Sequence, residues 1–267
     1  MDITTILLLL LGGSVAGFLA GFFGVGGGII LVPILLYFFQ SIHVSSLVST
    51  HLAFGTSLLI VLFASLSSAF QYYKNGHVVW KAVLTIGLAS VVGGLAGAMI
   101  AGGLEGKVLR QIFAAVVILS ALRLFSETRK PKLETMPPLR IPALLGTGLG
   151  VGLVSSLAGV GGGVLSIPIM HSILKFPLKK ALGTSSATIV ITALAAGTGY
   201  VVKGWGNTLL PEGTLGYVDW LHALPIIFGS IPLAAVGAQV ANKTKVTVLK
   251  RVFALFLLVV AFRMLFF

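Results

Sequence analysis

Gly24-Val25-Gly26-Gly27-Gly28 interrupts one long apolar run, and Gly159-Val160-Gly161-Gly162-Gly163 interrupts another. Each pentapeptide is followed five residues later by a proline, Pro33 and Pro168, and a shift of 135 residues superimposes the two copies. A glycine inside a helix costs about 1 kcal/mol relative to alanine, so three in a row end a helix. The amides freed by such a break have no intrahelical acceptor, and in lipid they must be buried in protein or used on a ligand. Interrupted apolar segments at matching places in two halves of a chain are the sequence pointer to a transporter site.

Composition sets the class. Of 267 residues, 57% are hydrophobic and 9% charged, with a mean hydropathy of +1.09, against about 25% charged in soluble domains. The chain is therefore expected to be an all-α integral membrane protein. The net charge of +12 does not indicate nucleic acid, because the basic residues stand singly or in small groups between apolar runs. No cysteine is present, which excludes disulfides and thiolate metal sites, and no cofactor is expected. Met1 to Leu11 has no basic stretch before its apolar run, unlike a cleaved signal peptide, so the first segment is expected to be retained.

Residues 3–39 as a single helix would be about 55 Å long, nearly twice the ~30 Å hydrocarbon core. The glycine break divides this run into a helical hairpin or re-entrant pair. Spanning segments follow at 44–71, 78–101 and 107–125. A polar stretch, 126–140, contains Arg129, Lys130, Lys132, Arg140 and three prolines and reads as a cytoplasmic linker. The second half repeats the plan with a broken segment at 141–174 and spans at 178–202, 218–241 and 246–267. Two repeats, 1–125 and 141–267, are thus expected around the linker. Thr50 matches Thr184 at nearly the same shift, the turn Gly76-His77-Val78-Val79-Trp80 matches Gly216-Tyr217-Val218-Asp219-Trp220, and Leu122-Arg123 matches Phe262-Arg263.

Charge gives an orientation. If each broken segment returns to its own side, each half adds three crossings and the halves are inverted. Fourteen Lys and Arg then share one side and four the other; if each broken segment crosses once, the same eighteen divide nine and nine. The positive-inside rule selects the inverted repeat with both termini outside, in a multi-pass protein of the cell (inner) membrane.

With the paired glycine motifs, a proline five residues on, the Gly183-Thr184-Ser185-Ser186 segment opening the next helix (Ser49-Thr50-His51 in the first half) and the basic linker on the page, the sequence resembles the TauE/SafE family, the 4-toluene sulfonate uptake permeases. The resemblance covers essentially the whole chain. It implies transport of sulfur oxyanions or organosulfonates, chiefly sulfite export, coupled to an ion gradient carried by a proton or Na+. One departure from an even pair is His51, which stands in the first half where the second has Ser185.

The residues support an anion site independently. Two helix starts, at 29–39 and 164–174, carry free amides and the positive end of a helix dipole, about half an elementary charge. Gly24, Gly26, Gly27, Gly28, Gly159, Gly161, Gly162 and Gly163 are the candidate backbone ligands, with Thr50, His51, Thr184, Ser185 and Ser186 as side-chain donors. Close helix packing is the competing explanation of the glycines, and Gly93, Gly94 and Gly97 are assigned to it. The six acidic residues fall in loops or at segment ends, so His51 is the candidate for a coupling proton, with an interhelical hydrogen bond as its alternative. Gln71, Tyr72, Tyr200, Trp80 and Trp220 read as interfacial anchors or vestibule lining, and Arg123 and Arg263 as snorkelling to headgroups. An intramembrane enzyme is not expected, because the spans hold no acid and no G-x-S-x-G. An anion channel or a permease with a cation site at the same breaks are the alternatives to an anion transporter; oligomeric state is not legible.

Overall fold

The computed structural model describes residues 2–126 and 136–249, with 251, 252 and 255. Every described element is helical: α1 (Ile3–Phe23), α2 (Gly28–Ser41), α3 (Ser46–Lys74), α4 (Trp80–Ala101), α5 (Gly106–Ser126), α6 (Ile141–Ala158), α7 (Gly163–Pro168, continuing as a wider π-helical turn over Ile169–Ile173), α8 (Leu178–Gly204) and α9 (Trp220–Lys243). Six of these, α1, α3, α4, α6, α8 and α9, are long and apolar enough to cross a membrane. In a bilayer only such self-satisfied backbones span, so the chain is a multi-pass integral membrane protein. The expected span 246–267 lies mostly outside the described residues, as do Arg263, the Arg123 side chain and residues 127–135 of the linker.

The broken segments are helical hairpins. Gly24 and Gly159 end α1 and α6 at φ +67° and +65°, and Gly27 and Gly162 stand before α2 and α7 at φ +85° and +91°. Only glycine takes these left-handed values without strain. A Cβ on Gly27 would lie 3.0 Å from the Ala16 carbonyl, and one on Gly162 would lie 2.6 Å from Val151. Each second arm therefore runs back along its first.

The two halves interlock. α1 packs along α9 and α4 along α6 through small residues that let backbones touch. Gly13 and Gly17 face Ile226 and Ser230, while Gly148 and Gly152 face Ile86 and Ser90. Adding 135 to the α1 numbers and subtracting 140 from the α9 numbers turns the first set into the second. Gly93 and Gly97 sit against the Leu149 and Leu153 carbonyls, as the helix-packing assignment requires. The long helices α3 and α8 cross at the centre and run antiparallel, with Gly55 beside Tyr200, Leu58 beside Gly197 and Tyr72 beside Gly183.

The contacts of α3 and α8 correct the internal alignment. Tyr72 donates to the Gly21 carbonyl (3.0 Å) and Tyr200 to the Ser156 carbonyl (2.8 Å). The Thr56 hydroxyl accepts from the Asp219 amide (2.9 Å) and the Thr184 hydroxyl from the Val79 amide (3.1 Å). These pairs are related by a shift of 128, so Thr184 corresponds to Thr56, Ser185 to Ser57, and His51 to Lys179. The Thr50–Thr184 match is thereby replaced. Seven fewer residues separate break from helix in the second half, where α7 widens after Pro168 and the next helix starts sooner.

Candidate functional site

The two glycine breaks meet at the centre of the molecule. A Cβ on Gly28 would lie 2.6 Å from the Val160 Cα, and one on Gly163 would meet the Val25 Cα, so each helix start touches the opposite break. The side chains of Val61 on α3 and Ile189 on α8, counterparts by the shift of 128, lie against both Gly26 and Gly161. Neither α2 nor α7 has a side-chain cap. The Ile30 and Leu31 amides bond the Gly27 carbonyl and those of Leu165 and Ser166 the Gly162 carbonyl, so the amides at the very start of each helix, Gly28 and Ile29, Gly163 and Val164, are the ones without an intrahelical acceptor. Two helix starts, with α7 extended to Ile173 by its π turn, thus lie side by side in a buried, apolar setting. In this conformation the glycines are in close contact with their neighbours, so the packing explanation and the site explanation apply to the same residues.

Hydroxyls line this centre. Ser185 donates to the Gly24 carbonyl (3.0 Å) and is 2.7 Å from the Ser166 hydroxyl, so one side chain on α8 ties the first break to the second hairpin. Ser65 and Ser155 border Gly26 and Gly162, and both hydroxyls are buried with no hydrogen-bond partner among the described residues. Ser57 and Ser186 are buried and equally unspent. Buried polar groups without partners are uncommon and ask for a reason. Thr56, Ser57, Ser65, Ser155 and Ser166 were not among the sequence candidates. For the first two the signal was present, since Gly55-Thr56-Ser57 repeats Gly183-Thr184-Ser185 letter for letter.

Other candidates lie elsewhere. Thr50 accepts from Arg110 (3.0 Å) near the start of α3. His51, one residue on, directs Nε2–H at the Ala101 and Leu104 carbonyls (3.1 and 3.0 Å), capping the end of α4. Its counterpart Lys179 does the same for the end of α9, donating to the Asn242 carbonyl. His171 donates from Nδ1 to the Phe176 carbonyl (2.9 Å) within its own hairpin. Tyr72 and Tyr200 are fully buried and hold the hairpins, which corrects their reading as interfacial anchors; Trp80 and Trp220 are 52% and 43% exposed. Asp219, expected at a helix end, does cap α9, but it is 2% exposed and paired with His222 (2.6 Å). Among the described residues no group of three or more His, Cys, Asp or Glu is placed to hold a metal ion.

A sequence model of the sulfite exporter TauE/SafE family matches residues 9–264. The chain belongs to the TauE/SafE family. It is 34% identical to a probable membrane transporter protein of Haemophilus influenzae over 98% of both chains. A probable membrane transporter protein of Methanocaldococcus jannaschii is 30% identical over 84% of this chain and 83% of its own length. A third, from Bacillus subtilis, is 27% identical over 91% and 92%. No solved structure matches. This TauE/SafE protein is thus a membrane transporter, not an enzyme.

Proposed function

We propose that this protein is a secondary transporter that exports a small sulfur-containing anion, sulfite or an organosulfonate, across the cell membrane under a proton or Na+ gradient. What carries the reading is the reciprocal packing of two uncapped helix starts, Gly28 on Val160 and Gly163 on Val25. Two positive dipole ends repel each other, and an anion between them relieves that repulsion while its oxygens accept from free amides. The backbone of Gly24, Gly26, Gly27, Gly28, Gly159, Gly161, Gly162 and Gly163 is the proposed cradle, and Ser185, Ser186, Ser65 and Ser155 supply hydroxyls. Thr184 and Thr56 position the cradle's neighbours by holding the turns that begin α4 and α9.

The antiparallel crossing of α3 and α8 supports an inverted repeat, with residues 1–125 and 141–267 as its units and both termini outside. The close contact between the breaks fits an occluded state; parting the hairpins toward one face or the other would give alternating access. Binding through neutral dipoles keeps affinity modest, so the anion can leave.

The test is flux in proteoliposomes together with thermal unfolding in sulfite, sulfate, an organosulfonate, acetate and chloride at constant ionic strength. A ligand at a hundredfold excess over Kd stabilises the folded state by about 2.7 kcal/mol. Saturable, gradient-driven flux and selective stabilisation by one sulfur anion are expected. An equal response to every anion would move the reading to a channel, and stabilisation by a cation alone to a cation permease. Proton coupling at His51 is tested by His51→Gln, for which gradient-driven accumulation should fail while exchange of anion continues; unchanged accumulation would leave His51 as the cap of α4.

A further inference from the structure

The fold is duplicated, but one feature of its ends is not. Where α3 and α9 end together, Gln71, Asn75, Gln239, Asn242 and Lys243 line a cavity of about 240 Å³. By the shifts of 128 and 140 that relate the halves, the same place on the opposite face holds Gly199, Lys203, Met99, Gly102 and Gly103. There the stem of Lys203 lies on Gly102, with a Cβ on that glycine only 2.8 Å from the lysine Cγ, and Gly199 packs on Ala98. Four side-chain amides and a lysine thus surround a cavity on one face, while at the counterpart a lysine stem lies against glycine and no side-chain amide stands at these positions.

The lined cavity lies on the basic face. Lys179 donates to the Asn242 carbonyl, and Lys180 follows it in sequence. The four described carboxylate residues, Asp2, Glu105, Glu212 and Asp219, belong to the other face, at the start of α1, before α5 and in the connection from α8 to α9. Nothing acidic among the described residues therefore competes for the donors. His77 contributes too. Its Nδ1 is 2.8 Å from Asn242 Oδ1, and because an oxygen can only accept, the histidine donates. That fixes the amide with Nδ2 outward from the bond, and Nδ2 is buried with no partner among the described residues. The cavity has the volume of roughly eight liquid waters, room for a small oxyanion that keeps part of its hydration.

We propose that this cavity is a recognition subsite for the transported oxyanion at the basic mouth, distinct from the glycine breaks and lined by amides that the corresponding positions of the other face lack. Lys243 donates directly, the half-buried Asn242 turns its unspent Nδ2 toward the anion as it enters, and Gln71, Asn75 and Gln239 complete the ring. Partial hydration and neutral amides make it a weak site that raises local anion concentration at one mouth, so the two faces differ in apparent affinity although the core is duplicated. The proposal rests on the reading of the protein as a transporter of a small oxyanion.

The experiment compares wild type with Asn242→Leu and with Gln239→Met, which installs the opposite face's residue at an exposed position and leaves the His77 bond intact. Sulfite flux is measured in sided vesicles from each face, and binding of sulfite, sulfate and phosphate by calorimetry in detergent and in nanodiscs with and without phosphatidylglycerol. The expected result is a KM raised at least tenfold from the basic face for Asn242→Leu and severalfold for Gln239→Met, with Vmax and the opposite-face KM kept. Unchanged basic-face KM in folded variants would overturn the subsite, as would binding that responds to phosphatidylglycerol and to none of the soluble anions. If wild type moves no sulfur anion the transport reading fails by itself. Calorimetry then still decides the subsite by whether the variants weaken oxyanion binding.

Discussion

At the centre of the molecule the backbone contacts of the two halves answer one another; at its two faces the side chains do not. Gly28 on Val160 is answered by Gly163 on Val25, and Thr56 on the Asp219 amide by Thr184 on the Val79 amide. At the faces, an amide-lined cavity stands opposite a lysine packed on glycine, and His51 opposite Lys179. The difference locates two kinds of constraint. Where backbone touches backbone, at Gly28 on Val160 and Gly163 on Val25, there is no room for a larger side chain in either half. The faces see solvent and headgroups of different character, and there the halves have diverged.

The comparison can be broken most directly at the breaks. Gly28→Val and Gly163→Val each drive a side chain into the opposite backbone, and each should destabilise by about 3 kcal/mol or more, as overpacking of a close contact does. Detergent-solubilised unfolding midpoints should fall by similar amounts in both. A large drop in one alone would show that the halves are not mechanically equivalent.

A smaller effect is expected from Thr56→Val and Thr184→Val. Each leaves an amide without its acceptor, the buried one of Asp219 or the part-buried one of Val79, at a cost of about 1–3 kcal/mol. Thr50→Val serves as the contrast, because Thr50 bonds Arg110 near the start of α3 and belongs to no such pair. Equal losses for Thr56 and Thr184, with a smaller one for Thr50, would sharpen the corrected register.

Tyr72→Phe and Tyr200→Phe remove one hydrogen bond each from the hairpin ends. About 1 kcal/mol apiece is expected, measured as unfolding midpoints, and the double variant should show the sum because the two bonds share no partner.

The least effect concerns pH. Burial holds the His77 pKa below its ordinary value of 6.5, assisted by the charges of Lys179 and Lys180 and opposed by its bond to Asn242. A depressed folded-state pKa means that the unfolded chain binds the proton first as pH falls. The associated stability is complete above about pH 6.5 and is lost as pH drops through the folded pKa. The midpoint of wild type should therefore decline more between pH 7 and pH 5 than that of His77→Gln. Since His77 is half-exposed, the difference is a modest one.

Much of the architecture was legible because lipid enforces it. Apolar length gave α3, α4, α8 and α9 to within a few residues, and the tripled glycines gave the hairpins, since glycine takes φ values between +65° and +91° at the least cost. The internal register was less legible. A constant shift fails when the two halves differ in connector length, so that Thr50, at the expected distance, masks the repeated Gly-Thr-Ser at 55 and 183. Tyr72 and Tyr200 read as interfacial because tyrosine near a span end usually is; their burial depends on a carbonyl offered by another helix.

The sequence by itself determined that this protein is a helical membrane protein broken at two glycine clusters, because hydropathy and backbone freedom are properties of a residue and its near neighbours. Only the tertiary structure decided that the breaks touch, that Ser65 and Ser155 border them with hydroxyls unspent, and that four amides and a lysine gather at one face. Those are matters of which helices cross and at what register. They are set by small residues in contact across 56 to more than 200 positions of chain, and no local pattern encodes which pairs will meet.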